Sequence, residues 1–466
     1  MTGNRQLFGT DGIRGVANVE PLTPGSVVRL GQALAQVLAR RSPVSGARPR
    51  IVVGRDTRLS GDMLEAALVA GMTSMGVDVC LAGVLPTPAV AFLARSLPAD
   101  AGVVVSASHN PFHDNGIKLF AANGFKLPDD VEQDIERLVL HGDPAVARPA
   151  AGDVGRVMLL GDGADRYLAH LRRVVPPAVR FDGLRVVLDC ANGAAYRVGP
   201  AAFRALGAEV VAIGVQPDGT NINAACGAVQ PRRLQETVRA ERAQLGVALD
   251  GDADRVILVD EAGAVVDGDE LLAMFATDML ARGTLRQATV VATVMSNLGL
   301  EIALRGRGIR LLRTAVGDRY VVEAMHGSGY NLGGEQSGHL ILLDHGTTGD
   351  GVAGGLAAAS LIVGQRRPLS ELKRVMTKLP QVLRNVRVAR RNELENIPAV
   401  RQVLDEVRAA LNDRGRVLVR YSGTEPLVRV MVEGEDAAQV NQYAARIVAA
   451  IEQQVGERAS GSAVRG

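Results

Sequence analysis

The sequence predicts an α/β protein: three related α/β domains, each a mixed sheet between helices, followed by a C-terminal α+β domain. Three observations predict it. Helical and strand patterns alternate through most of the chain. One strand–polar loop–helix opening recurs three times. Near the C-terminus the pattern changes to a helix, two strand-like runs and a closing helix.

Taken in order, Thr23-Pro24 starts a helix, because Pro is tolerated in the first turn. Val27, Leu30, Leu34, Val37 and Leu38 then repeat at helical spacing. Ile51, Val52 and Val53 form a short buried strand that ends in the polar loop Gly54-Arg55-Asp56-Thr57-Arg58. A second helix carries Leu64, Leu68, Met72 and Met75. Val103, Val104 and Val105 form another buried strand, and the segment SASHNP leaves its C-terminal end. Functional loops of open α/β sheets lie at that end. The opening recurs where Arg185 to Leu188 runs into Asp189 to Ala194, and where Val290 to Val294 runs into Met295 to Gly299. Val400, Val403, Leu404, Val407 and Leu411 make a helical stripe ending near Gly415. Val417 to Val419 and Val428 to Val432 read as strands, and Val440, Tyr443, Ile447, Val448 and Ile451 as the closing helix. The small, polar stretch Gly456 to Gly466 is expected to be disordered. Breaks near Ala150, Arg255 and Pro368 divide the chain into 1–150, 151–255, 256–368 and 369–466.

Composition narrows the function. A chain of 466 residues exceeds one ordinary domain. Aromatics are 3% with no Trp, which argues against base stacking on nucleic acid. A net charge of +2 gives no field to attract DNA or a membrane. Cys80, Cys190 and Cys226 are too few and too scattered for a disulfide framework or a CxxC site, so a reducing compartment is expected. No apolar run reaches the roughly 18 residues of a membrane span, and the start MTGNRQLFGTDGIRG has no apolar signal segment. The expected location is cytoplasmic. Oligomeric state stays open, a homodimer included.

Five motifs carry chemistry: GTDGIRG (Gly9 to Gly15), SASHNP (Ser106 to Pro111), DGDADR (Asp250 to Arg255), GEQSGH (Gly334 to His339) and RYSGTEPLVR (Arg420 to Arg429). Asp250, Asp252 and Asp254 repel one another unless a cation sits among them, and converging hard oxygens suit Mg²⁺. A calcium EF-hand loop is the rival, because Asp250, Asp252, Asp254 and Glu261 fall at its first, third, fifth and twelfth positions. Its sixth position needs Gly and here is Arg255, and Val256 to Val259 reads as a strand. A solvated acidic turn is the plainer alternative. Ser106 and Ser108 offer hydroxyls after a buried strand, and a phosphoryl group on a serine would complete a cation site. His109 and Asn110 could fix that loop. In RYSGTEP, backbone amides with Ser422 and Thr424 can cradle a phosphate, and Arg420 and Arg429 add charge-assisted bonds. Glu335 and Ser337 suit neighbouring sugar hydroxyls. Arg14 and Lys118 are lone basic residues, by default surface charges.

Assembled, these motifs resemble the α-D-phosphohexomutase superfamily in content and order, over nearly the whole chain. GTDGIRG and GEQSGH look like its branch that acts on glucosamine phosphates. The resemblance implies four domains around a central cleft, with the phosphoserine, the metal loop, the sugar contacts and the phosphate contacts on successive domains. It implies that Ser108 shuttles the phosphate, and that Ser108, Asp250, Asp252 and Asp254 hold Mg²⁺. Arg255 would contact the serine phosphate, and Glu335 and Ser337 would grip sugar hydroxyls. Arg420, Ser422, Gly423, Thr424 and Arg429 would hold the non-reacting phosphate. Lys118, Arg14 and His339 match positions of proton transfer or charge stabilisation. The implied reaction interconverts glucosamine 6-phosphate and glucosamine 1-phosphate through a 1,6-bisphosphate. Loading of Ser108 by glucosamine 1,6-bisphosphate or autophosphorylation would activate the enzyme, and its product would feed UDP-N-acetylglucosamine and cell-wall synthesis. The alternatives are a phosphoglucomutase or phosphomannomutase of the same superfamily, a metal-dependent sugar phosphatase, and a non-catalytic sensor of sugar phosphates.

Overall fold

The computed structural model describes residues 6–9, 11–41, 48–142, 148–388, 394–421 and 427–455. Ser422, Gly423, Thr424 and the stretch from Gly456 to Gly466 lie outside the described residues. The chain divides into two compact units, Met1–Met295 with Arg307–Val375, and Ser296–Gly306 with Met376–Gly466.

The first unit holds three mixed sheets. In the seven-stranded sheet the order is Phe8–Gly9, Gly12–Val16, Asp114–Ala121, Ala101–Val105, Arg50–Arg55, Asp78–Val84 and Val157–Leu159. Arg50–Arg55 lies parallel to both neighbours, while Asp114–Ala121 runs antiparallel to Ala101–Val105. Ile51, Val53, Val103 and Val105 are fully buried, as an apolar run in a central strand should be. They share a core with Leu30, Leu34 and Val37 of the Pro24–Arg41 helix and Leu64, Leu68 and Met72 of the Gly61–Thr73 helix. Met75 of the expected stripe lies just past that helix.

The five-stranded sheet has the order Val265–Val266, Val256–Asp260, Leu245–Leu249, Arg185–Asp189 and Glu209–Ile213. It runs on past Arg255, because Val256–Asp260 pairs antiparallel with Leu245–Leu249. The acidic loop is thus the connection of a hairpin, with an unbroken sheet on both sides of the break expected there. The four-stranded sheet orders Arg310–Thr314, Thr289–Thr293, Leu332–Gly334 and Leu340–Leu342.

The second unit has a three-stranded antiparallel sheet with Leu427–Gly434 between Gln381–Arg387 and Gly415–Tyr421. The helices Pro398–Leu411 and Ala437–Val455 bury Val400, Leu404, Val407, Val440, Ile447 and Ile451 against it.

Candidate active site

The site grows from two loops of the first unit. Ser108 follows the Ala101–Val105 strand, is 1% exposed and has φ +53°. A residue with a Cβ adopts this left-handed conformation only when its surroundings enforce it. Its Oγ donates to Asp250 Oδ2 at 2.6 Å and lies 3.4 Å from His109 Nδ1. Asp250, Asp252 and Asp254 sit in the hairpin loop, and one oxygen of each lies within 4.8 Å of the others. All three are buried.

Electrostatics explain why such a cluster needs cations. Burial and the neighbouring Asp254 and Asp252 push the Asp250 carboxyl well above the usual carboxylate range. Lys118 offsets part of this repulsion: its Nζ donates to Asp252 Oδ2 and Asp254 Oδ2, both at 2.8 Å, and lies 3.0 Å from Asp11 Oδ2. Burial opposes the Lys118 charge, yet Asp11, Asp252 and Asp254 hold its pKa well above the ordinary lysine value. Burial likewise works against ionised Asp254, but Lys118 and Arg255 bring its pKa below the usual range. Asp252 Oδ1 and Asp254 Oδ1 remain buried with no hydrogen-bond donor. Unpaired hard oxygens, three converging carboxylates and a serine hydroxyl fit a divalent metal ion. The EF-hand alternative fails here. Val256–Asp260 is a strand, and the Glu261 carboxylate accepts from Ser370 instead of turning to the cluster.

Other expected residues converge on the same loops. Arg14 donates to Ala107 O at 3.2 Å and pairs with Asp11. Arg255 Nε is 4.0 Å from Asp254 Oδ1. Burial disfavours the Arg255 charge, but Asp254, Asp250 and Glu335 more than compensate. His339 is buried, with Nε2 3.4 Å from Asp318 Oδ2 and 3.9 Å from Asp254 Oδ2. Arg14 and Lys118 are therefore ion-paired beside the acidic loop, not lone surface charges. The GEQSGH turn is docked by Val256 N–H, which donates to Gly338 O at 2.9 Å. Gly338 has φ +91°, and a Cβ on it would lie 2.2 Å from Val256 O, so only glycine lets the turn approach the acidic hairpin. Glu335 Oε1 accepts from Gly317 N at 3.1 Å, while Ser337 is exposed. Arg420 and Arg429 face each other in register on adjacent strands of the second unit. Burial, and then the Arg429 charge, lower the Arg420 pKa.

Sequence reasoning missed several residues. Asp11 pairs with Arg14, Lys118 and Lys126, and Lys126 Nζ reaches Asp318 Oδ2 at 2.5 Å. Together with His339 and Asp254 these groups close a ring of buried and half-buried polar side chains. Asp11 lies inside GTDGIRG, but Lys126 and Asp318 stand in no motif. His109, read as a loop brace, is held down to about 4 by burial and by Arg255 and Arg14. A neutral imidazole therefore stands beside the serine hydroxyl. A cavity of about 410 Å³ elsewhere, lined by Phe275, Met279, Asn331 and His345 among others, contains none of the motif residues.

Comparison with known proteins gives the family of this fold. Family models of phosphoglucomutase/phosphomannomutase match in chain order: alpha/beta/alpha domain I over residues 5–145, domain II over 165–263, domain III over 267–379 and the C-terminal domain over 383–450. Phosphoglucosamine mutase of Geotalea daltonii is 54% identical over 97% of this chain and 99% of its own. A phosphoglucomutase/phosphomannomutase family protein of Burkholderia thailandensis superposes with TM-score 0.78 at 25% identity, covering 95% of this chain and 97% of the other. Aspergillus fumigatus N-acetylphosphoglucosamine mutase, solved in complex with GlcNAc-6P and magnesium, shares the fold at TM-score 0.66 and 18% identity, over 97% and 96% of the two chains. The chain belongs to the phosphoglucomutase/phosphomannomutase family, the α-D-phosphohexomutases, and within it to the phosphoglucosamine mutases, isomerases that act as intramolecular phosphotransferases. No helix among the described residues is long and apolar enough to cross a membrane.

Proposed function

We propose that this chain interconverts glucosamine 6-phosphate and glucosamine 1-phosphate by passing a phosphoryl group through Ser108. One observation carries the proposal: a buried serine hydroxyl, held 2.6 Å from Asp250, in a cluster of three carboxylates. In the first half-reaction the Ser108 O–P bond breaks, a bond from phosphorus to sugar O1 forms, the O1 proton leaves to a base, and the freed Ser108 Oγ takes up a proton. The bisphosphate turns over within the site. Its O6–P bond then breaks, phosphorus bonds to Ser108 Oγ as that oxygen gives up its proton, and the released O6 takes up a proton.

Asp250, Asp252 and Asp254, with the Ser108 phosphate, are the proposed ligands of Mg²⁺, the ion present in the fungal N-acetylphosphoglucosamine mutase. Bound there, Mg²⁺ supplies neutralisation of the charge on the phosphoryl oxygens. Lys118 and Arg14 stay protonated, because carboxylates raise both pKa values against burial. Both are proposed to stabilise the charge that develops on the transferring group. Of the three candidates His339 bears the ordinary proton-transfer group, and Asp318 lies within reach to orient its ring. Arg255 contacts the serine phosphate, and Glu335 and Ser337 grip sugar hydroxyls. Arg420, Ser422, Gly423, Thr424 and Arg429 anchor the other phosphate. The proposed division puts the phosphoserine on residues 1–150, the metal loop in the five-stranded sheet that continues past Arg255, the sugar contacts between that sheet and residue 368, and the phosphate contacts on 369–466. Glucosamine 1,6-bisphosphate or autophosphorylation loads Ser108. A homodimer is compatible with this scheme, since no residue in it has to come from a second copy.

Intact-protein mass with peptide mapping tests the carrier: one added phosphoryl group is expected on the peptide containing Ser108. Turnover of glucosamine, glucose and mannose phosphates tests the substrate. Equal or faster turnover of mannose phosphate would overturn it, and free phosphate without isomer would mark a phosphatase.

A further inference from the structure

We infer that Arg58 and Asn223 are positioning residues, which hold Ser108 against the acids by clamping the backbone of its loop from two sides. This rests on the reading of Ser108 as the phosphate carrier. The Arg58 side chain is 0% exposed. A guanidinium is buried so completely only where its N–H groups find acceptors. Nε donates to Asp56 Oδ2 at 2.9 Å. Nη1 donates to Pro111 O at 2.5 Å and Asp114 O at 3.1 Å, and Nη2 donates to Ser108 O and Asn110 O, both at 2.9 Å. Three carbonyls of one short loop and that of Asp114, where the next strand begins, thus converge on one cation.

The second jaw comes from the segment between the Glu209–Ile213 strand and the Arg232–Glu241 helix. Asn223 Nδ2 donates to Ser108 O at 2.9 Å and to Asn110 O at 3.0 Å, two of the carbonyls Arg58 already holds. Gly251 leaves room for this, since a Cβ there would lie 2.5 Å from Ser108 O and 2.9 Å from Asn223 Nδ2. The amide side of Ser108 is tied to the same pair. Its N–H donates to Ser106 Oγ at 2.9 Å, and Ser106 Oγ donates to Asp56 Oδ2 at 2.6 Å. Both polar ends of the Ser108 peptide therefore return to the Asp56–Arg58 pair. This accounts for a stable left-handed φ at a residue with a side chain. Arg58 and Asn223 bond the backbone of this loop, so each acts through Ser108's position. Lysine, a point charge with three donors, cannot reproduce the planar fork.

The test uses the full-length enzyme with Arg58→Lys and, separately, Asn223→Ala. Measurements are kcat and KM with glucosamine 6-phosphate, the initial rate of Ser108 phosphorylation by glucosamine 1,6-bisphosphate read by intact mass, and circular dichroism. A displaced reacting atom costs rate more than binding, so kcat is expected to fall about tenfold in Asn223→Ala and roughly 100-fold in Arg58→Lys, with KM within about twofold. Ser108 phosphorylation should slow in parallel while the folded spectrum is kept. If Arg58→Lys does not fold, Asn223→Ala decides alone. Wild-type kcat and phosphorylation rate in Asn223→Ala, or a rise confined to KM, would overturn the clamp. A wild-type enzyme that isomerises the sugar without ever phosphorylating Ser108 would instead overturn the carrier reading beneath it.

Discussion

At the residue scale the site is a problem of charge held out of water. Ser108→Ala removes the acceptor oxygen and leaves its neighbours in place. Turnover should fall by roughly 10⁴-fold or more, because the other hydroxyl of the loop, Ser106, is tied to Asp56 and the residue 108 amide, and the mass increment should vanish. Residual mutase activity above one part in a thousand would contradict this, on the order of magnitude expected for loss of a nucleophile. A second residue gives a pH prediction away from the metal cluster. Asp350 caps the Gly351–Gln365 helix through Ala353 N, accepts from Tyr167 OH, and is pushed by burial up to about 6. In the unfolded chain it titrates near about 4. Between those values the folded state binds the extra proton, so its contribution to stability is lost as pH rises through about 6. Asp350→Asn keeps an acceptor and cannot titrate. It should gain on the wild type by about 2–3 kcal/mol from acid to neutral pH. Thermal midpoints of the two chains at several pH values check this, and parallel curves would refute it.

At the element scale, strands and loops set which motifs can meet. The run Val256 to Val259 is a strand as expected, and that one fact turns the acidic loop into a hairpin connection and rules out an EF-hand. The third strand of the C-terminal sheet escaped notice for a physical reason. Gln381–Arg387 is an edge strand in which only Val386 is fully buried and Leu383 is 48% exposed. Its hydrogen bonds to Leu427–Gly434 hold it there, and they leave no period in the sequence. The middle strand and its other neighbour place Arg420 beside Arg429. Like charges opposite each other on a sheet are unfavourable, by about 0.2–1 kcal/mol. Arg420→Met should therefore leave stability unchanged or slightly raised, while KM for the sugar phosphate rises roughly 10- to 100-fold through loss of a charge-assisted bond. Steady-state kinetics paired with thermal unfolding would show it. An unchanged KM would remove Arg420 from the phosphate site.

At the scale of the whole molecule, two compact units predict at least two unfolding events. The C-terminal unit closes its own core with Val400, Leu404, Val430, Val432, Ile447 and Ile451. The three acids and Ser108 belong to the other unit. Calorimetry should therefore resolve more than one transition. Mg²⁺ should raise only the transition of the unit with the acids, by about 2.7 kcal/mol at a hundredfold excess over its Kd, and a chelator should abolish both that shift and turnover. A shift shared equally by all transitions would place the ion elsewhere.

By itself the sequence determined the alternation of helices and strands, the three carboxylates, the serine beside them in function, and the family to which they point. These are local facts: an apolar period, a spacing of two, a run of glycine and hydroxyl residues. Only the tertiary structure decided that Lys118 is buried among Asp11, Asp252 and Asp254, that Lys126 reaches Asp318, and that Arg58 vanishes beneath the serine loop. A lone basic residue in a sequence is most often a solvated surface charge. Its partner here stands up to about two hundred residues away, and in the low-dielectric interior that partner, not the local pattern, fixes whether the charge can be buried at all.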